Sequence, residues 1–301
     1  MGSHKRILIS GGTGFVGSAL IHELLYKRHS ITLLTRDPIA ASIQFSGKLR
    51  MISNLDELSD SEQFDIVINL AGASIVGGRW SSKRKQILLN SRLDVTESLL
   101  AFCRRAEHLP TTWIQASAIG YYGTNSQDNV NERSPVGNGF AAELCRQWEE
   151  KTEELYQLGI DRTVIRFGLV FGSSGGSLPM MLAPFRLGLG SIMGSGKQNL
   201  AWIHIEDLLC AIALCIKDSS LEGIVNAVAP DCPTHEEFAL ATGREMMRPV
   251  VLRIPETLLR RLLGEMSGLF VHGPRVAPNR LIEAGFNYRF ADLRSALMDL
   301  T

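Results

Sequence analysis

The stretch Arg6-Ile7-Leu8-Ile9-Ser10-Gly11-Gly12-Thr13-Gly14-Phe15-Val16-Gly17 decides the fold. Its first five residues form a short apolar run that stops at glycine. From Ser18 to Arg28 apolar residues then recur at helical spacing, at Leu20, Ile21, Leu24 and Leu25. Strand, tight turn and helix follow one another directly. Each glycine of the G-x-x-G-x-x-G pattern has a mechanical reason: Gly11 permits the turn, Gly14 lets a phosphate approach the backbone, and Gly17 lets helix and strand pack closely. The amino end of the helix presents N–H groups that its own backbone cannot satisfy, aimed where the phosphate would lie. The glycines alone also fit a plain structural turn; their place between strand and helix favours a phosphate cradle.

Further along, Ile31 to Leu34, Asp65 to Leu70, Thr112 to Ala116 and Arg162 to Phe167 are short apolar runs, separated by helical stretches such as Leu93 to Arg105 and Ala141 to Leu158. Strands alternating with helices imply a parallel sheet covered on both faces. After Gly168 the texture changes. Gly172 to Gly176 and Gly188 to Gly196 read as glycine-rich loops, Ile205 to Ile216 as an apolar helix, and the chain from Thr234 onward as two or three helices with a turn-rich Gly273 to Phe290. The expected fold is α/β: a doubly wound parallel sheet with inserted substrate loops over residues 5–233, and a small, mostly helical C-terminal lobe over 234–301.

Composition narrows the function classes. The 301 residues are 45% hydrophobic and 21% charged, enough for a sizeable core. Lys+Arg and Asp+Glu are both 31, so neither nucleic acid nor an anionic membrane is the expected partner, and a small-molecule substrate is. Cys103, Cys145, Cys210, Cys215 and Cys232 include no C-x-x-C spacing, which speaks against a zinc site or a disulfide framework and for a reducing compartment. No apolar run approaches the length that spans a bilayer, and cytoplasm is the expected location. Gly2-Ser3-His4 reads as the remnant of an expression tag. The oligomeric state is not written in these features.

Arg36 follows the second strand, about 20 residues past the glycine turn, where an acid binds the ribose of NAD in a dinucleotide-binding βαβ unit. An arginine there grips a 2′-phosphate instead, so the expected cofactor is NADP(H). Asp37 beside it is the alternative, as an acceptor for a free 2′-hydroxyl. Asn69-Leu70-Ala71-Gly72 follows the fourth strand, with small residues that let the chain pass under the adenosine half of a dinucleotide, or that simply form a loop.

These segments, with Asn90-Ser91-Arg92, Ala116-Ser117-Ala118-Ile119-Gly120-Tyr121-Tyr122-Gly123, Arg166-Phe167-Gly168, Trp202-Ile203-His204-Ile205-Glu206-Asp207 and Arg275-Val276-Ala277-Pro278, resemble the extended short-chain dehydrogenase/reductases over nearly the whole chain. The closer likeness is to the atypical epimerase family proteins, which join a Rossmann half to a small C-terminal lobe. The resemblance implies cofactor contacts from Gly11, Thr13, Gly14, Phe15, Val16, Gly17, Thr35, Arg36, Leu70, Ala71, Gly72 and Arg92, with Ser117 and Arg166 toward the nicotinamide. It also implies a Tyr-x-x-x-Lys pair, in which the lysine lowers the tyrosine pKa. That pair is absent. Asn125 and Ser126 lie four residues after Tyr121 and Tyr122, Ile160 and Asp292 four after Tyr156 and Tyr288, and Phe140 and Leu144 stand where the tyrosine and lysine belong.

Ser117, Tyr121 and Tyr122 remain as the candidate catalytic residues, because strand ends face the ligand crevice of an open α/β sheet. Ser117 can equally serve a strand-to-loop turn, and the tyrosines can equally be packing. Cys145 reads as a small buried hydrophobe with no histidine near it in sequence. His204 and Asp207 are either a polar pair near substrate or a helix cap, and the Arg275 motif is expected to dock the C-terminal lobe. Three functions are consistent with these residues: an NADP(H)-dependent oxidoreductase or nucleotide-sugar-type epimerase; a catalytically idle NADP(H) binder that regulates or senses redox state; and an interaction module with a mobile docking loop at Gly188 to Gly196.

Overall fold

The computed structural model describes residues 4–124 and 129–301. Gly2, Ser3, Asn125 and Ser126 lie outside the described residues. The chain runs β1 (Arg6–Ser10), α1 (Phe15–Tyr26), β2 (Ser30–Leu34), α2 (Pro38–Gln44), β3 (Arg50–Ile52), β4 (Ile66–Asn69), α3 (Ser82–Arg105), β5 (Thr112–Ala118), β6 (Asn129–Val130), α4 (Phe140–Glu150) and β7 (Asp161–Phe167). It continues through β8 (Leu169–Phe171), α5 (Leu178–Arg186), β9 (Gly190–Met193), β10 (Trp202–His204), α6 (Ile205–Lys217) and β11 (Gly223–Ala227). The last elements are α7 (His235–Glu245), β12 (Val250–Ile254), α8 (Glu256–Leu263), α9 (Gly268–Val271), β13 (Arg275–Val276), α10 (Asn279–Glu283) and α11 (Leu293–Leu300).

Seven parallel strands form the central sheet in the order β11-β7-β5-β4-β1-β2-β3. The winding reverses between β1 and β4, and at such a switch point the carboxyl ends of the strands part to leave a crevice. Alternation along each strand fills both faces. Ile7 and Ile9 join Leu20, Ile21 and Ile212 on one side, while Leu8 joins Leu99, Phe102 and Trp113 on the other. This is the expected doubly wound Rossmann sheet, followed by a helical C-terminal region.

Several elements differ from their sequence reading. Helix α3 starts at Ser82 rather than Leu93, because Ser81 caps it by accepting from the Arg84 N–H at 3.2 Å, and Lys83 to Gln86 hide the apolar period in its first turn. The short β3 and the Gly223- and Asn226-containing β11 are sheet strands without a clear apolar run. Gly188 to Gly196 is not an open loop, since it contains β9, which pairs in parallel with β12. Nor does position 233 separate two cores: Phe171, Leu178, Leu182 and Trp202 pack with Phe238, Leu293 and Leu297. No helix among the described residues is long and apolar enough to cross a membrane.

Candidate functional site

The glycine turn lies in the crevice at the carboxyl end of β1, against the turn after β4. Gly11 has φ +73°, and a Cβ there would fall 2.4 Å from the Leu70 carbonyl carbon, so both turn and contact demand glycine. A Cβ on Gly17 would lie 2.4 Å from the Gly11 oxygen, and one on Gly12 2.5 Å from the Ile21 side chain. Gly12 is thus a packing glycine that the sequence reading passed over. Gly14 differs. With φ −75° and ψ 174° its backbone suits any residue, and a Cβ would meet only the Gly11 oxygen, at 3.3 Å. The packing constraint at Gly14 is far weaker than at Gly11 or Gly17, and the space it leaves faces the opening. Gly14 is also the N-cap of α1, and no side chain caps that helix. The N–H groups of Phe15, Val16 and Gly17 therefore face the opening without a protein acceptor among the described residues. The Phe15 ring itself lies under Gly172, Gly175 and Gly176, whose Cβ positions would collide with it at 2.4, 2.4 and 3.0 Å.

A buried amide network holds the opposite wall. Asn69 accepts from Ser10 Oγ at 2.7 Å and from the Ala71 N–H at 3.3 Å, and donates to Thr96 Oγ1 at 2.8 Å and Gln115 Oε1 at 3.1 Å. Four chain segments are thereby fixed around Leu70, Ala71 and Gly72. Over Gly72 lies Arg92, whose guanidinium carbon is 2.9 Å from the position a Cβ would take there and 5.0 Å from the Trp148 ring centre. Nη1 donates to the Leu88 carbonyl at 3.0 Å, and Arg92 forms no ion pair among the described residues. Burial holds its pKa below the usual guanidinium value. A half-buried cation without a carboxylate is costly unless an anion joins it.

At the end of β2, Thr35 Oγ1 accepts from the Asp37 N–H at 3.4 Å, and Asp37 Oδ1 accepts from the Ala40 N–H at 3.0 Å, capping α2. Asp37 therefore already has work as a helix cap. Arg36 is exposed and has no ion-pair partner among the described residues. Thr13 is exposed on the turn.

Of the candidate catalytic residues, Ser117 and Tyr122 have their side chains bound within the protein. Ser117 is 3% exposed and donates to Glu149 Oε1 at 2.6 Å. Arg166, 2% exposed, binds the same carboxylate through Nε at 2.9 Å and Nη2 at 2.7 Å, and donates through Nη1 to the Tyr122 hydroxyl at 2.9 Å. Tyr122 in turn donates to Asn226 Oδ1 at 2.7 Å, and Asn226 Nδ2 donates to the Ala277 carbonyl at 3.0 Å. Glu132 accepts from the Asn226 and Arg280 N–H groups at 3.3 and 3.2 Å. The side chains of Ser117, Tyr122 and Arg166 are thus bound to one another's partners inside the protein rather than directed at a ligand. Burial pushes the Tyr122 phenol up to about 12, against the pull of Arg166, which leaves it a weaker proton donor than free tyrosine. Tyr121 is half-buried, with the Arg166 guanidinium 3.4 Å from its ring centre. Glu149, Asn226 and Glu132 went unnoticed in the sequence because nothing in their spacing marks them.

The helix positions that look onto the turn after β5 are Ala141 and Cys145: a Cβ on Gly120 would lie 3.4 Å from Ala141 Cβ and 3.8 Å from Cys145 Sγ. They follow Phe140 and Leu144 by one residue and again supply no tyrosine or lysine. Cys145 is 4% exposed, and burial, with Glu149 adding, pushes its thiol up to about 11. It is the buried small hydrophobe expected. His204 caps α6 by accepting from the Glu206 N–H at 3.2 Å, while Asp207 accepts from the Arg289 and Phe290 N–H groups at 2.8 and 2.9 Å. Both thus bind backbone N–H groups, His204 as the helix cap. The Arg275 motif docks through its backbone, as β13 pairs with β6.

Known proteins share this architecture throughout. Residues 7–227 match the NAD dependent epimerase/dehydratase family, and residues 254–300 match a domain of unknown function (DUF1731). Epimerase family protein SDR39U1 of Mus musculus is 36% identical over 98% of this chain and 99% of its own length, and epimerase family protein YfhF of Bacillus subtilis is 34% identical over 98% and 97%. The crystal structure of human epimerase family protein SDR39U1 (isoform 2) with NADPH superposes with a TM-score of 0.87 at 31% identity, covering 98% of each chain. With the family match spanning every strand of the central sheet and relatives aligned end to end, the chain belongs to the NAD dependent epimerase/dehydratase family.

Proposed function

We propose that the chain binds NADPH in preference to NADH and acts as an atypical short-chain oxidoreductase on a small molecule. One observation carries this reading: an uncapped helix end, where a Cβ at Gly14 would meet only the Gly11 oxygen, shares the crevice at the carboxyl ends of the strands with Arg36 and Arg92, neither of which pairs with a carboxylate among the described residues. The N–H groups of Phe15, Val16 and Gly17 would hold the pyrophosphate, Thr35 and Arg36 the 2′-phosphate, and Leu70, Ala71 and Gly72 the adenosine half. Arg92 supplies a further positive charge over Gly72. The relative crystallised with NADPH supports the choice of cofactor. When bound, the nicotinamide supplies a hydride equivalent. The chain's part is to exclude water, hold the cofactor and orient what lies beside it; the inward bonds of Ser117 and Tyr122 speak against a part for either in proton transfer.

A second reading, a cofactor holder without turnover, is favoured by the inward commitment of Ser117, Tyr122 and Arg166. Calorimetric titration with NADPH and NADH tests the binding claim. NADPH binds more tightly, and Arg36→Ala weakens NADPH by about tenfold or more while leaving NADH unchanged. Equal affinities, or an unchanged ratio in the variant, reject the assignment of Arg36. Tight NADPH binding without oxidation across a panel of aldehydes, ketones and nucleotide sugars favours the second reading.

A further inference from the structure

A cavity of about 420 Å³ lies between the start of α4 and the α8–α9 segment of the C-terminal lobe, and none of its walls was singled out in the sequence as a ligand contact. Trp80 and Phe140 form one corner, with ring centres 5.0 Å apart and planes at 69°, and Leu269 and Val271 are among the residues that complete its apolar lining. The indole is pinned by its donation to the Ile75 carbonyl at 3.1 Å. The polar end holds Arg260 and His272, which share one carboxylate: Glu256 Oε1 is 2.6 Å from Arg260 Nη2 and 3.7 Å from His272 Nε2. Lys85, 5.0 Å from the Phe140 ring centre, is matched by Glu265. Arg79 packs its guanidinium against Gly264 and has no ion-pair partner among the described residues. Arg260, Glu265 and His272 line the cavity itself, and Arg79, Lys85 and Glu256 touch its lining residues from outside; among the described residues this set holds three permanent cations and two carboxylates, one positive charge in excess before His272 is considered.

We propose that this cavity binds a compact organic monoanion with a flat apolar body, an aromatic or conjugated carboxylate. The ring lies against the Trp80–Phe140 corner and the carboxylate reaches Arg260 and His272. Four of the five guanidinium N–H donors of Arg260 are not used by Glu256, and a second carboxylate can take a pair of them. A nucleoside diphosphate fits poorly. Its two or more charges would meet one unmatched cation, and the volume is near the lower end for small-molecule sites, about 300–1,000 Å³. The proposal deepens the oxidoreductase reading by naming its substrate class, and rests on that reading.

Naphthalene-2-carboxylate is the probe, followed by calorimetry without nucleotide. It binds with a Kd of about 1 mM or tighter. Arg260→Ala and Trp80→Leu each raise that Kd about tenfold while the NADPH Kd stays at the wild-type value, which also shows that both variants fold. Neutral 2-naphthol and UDP-glucose bind more weakly than the carboxylate. Tighter binding of UDP-glucose, equal binding of 2-naphthol, or twofold or smaller effects in both variants overturn the proposal. Carboxylate binding without NADPH binding rejects the cofactor reading alone, and NADPH binding without carboxylate binding rejects this proposal alone.

Discussion

Gly14→Val separates space kept for a ligand from space that packing requires. The backbone at Gly14 is extended, and a Cβ there meets a single protein atom, the Gly11 oxygen at 3.3 Å, so the variant should lose no more than about 1 kcal/mol of stability. Gly17→Ala is the contrast. Its Cβ would lie 2.4 Å from the Gly11 oxygen and 2.7 Å from the Gly12 Cα, backbone atoms that cannot step aside, and overpacking of this kind costs about 1–3 kcal/mol. NADPH affinity should run the other way. The valine methyls occupy the opening before the free N–H groups of Val16 and Gly17, and each charge-assisted hydrogen bond lost is worth about 1.5–3 kcal/mol, so binding should weaken at least about tenfold. Chemical denaturation and NADPH titration on the same preparations read both quantities. A Gly14→Val protein with wild-type NADPH affinity, or one as unstable as Gly17→Ala, refutes the distinction between the two glycines.

Arg166→Met leaves the Glu149 carboxylate buried without its cation and should cost about 3–5 kcal/mol in urea unfolding; a variant of unchanged stability that has lost turnover would return Arg166 to the chemistry. His235 is 4% exposed and accepts from the Met193 N–H at 3.4 Å, and burial lowers its pKa to about 4. Below the ordinary value of 6.5 the unfolded chain takes a proton that the folded chain refuses, so stability is full above pH 6.5 and falls as pH drops toward 4. Thermal melts of His235→Gln should show a shallower fall across that window, and an unchanged slope would remove His235 as its source.

How much of this was legible follows the range of the interactions involved. Residues 6–17 encode their own local conformation, because strand, turn and helix are set by apolar spacing and by which positions tolerate a side chain. The glycine turn, the crevice and the sheet were therefore readable. Helix α3 was misjudged at its start because polar residues carry no period, although Ser81 was there to be read as a cap. Gly190–Met193 was mistaken for loop because its strand partner lies some sixty residues on, at Val250–Ile254. Arg36 was readable by position, but that Asp37 would cap α2 is a fact of geometry.

The other end of the site shows why residue type without partner misleads. Ser117 stands at a strand end, as a substrate-binding serine would, yet its acceptor Glu149 lies on α4, where no motif announces it. The same carboxylate fixes Arg166, which fixes Tyr122, which fixes Asn226 on β11 and through it the approach of the C-terminal segment at Ala277. Each bond satisfies a buried group that would otherwise carry its full desolvation cost, so no member can turn toward a ligand without exposing the rest. Donors for a substrate oxygen must then come from outside this chain of bonds. Near the start of α4, Arg260 and His272, which share the Glu256 carboxylate, bring such donors from the C-terminal lobe.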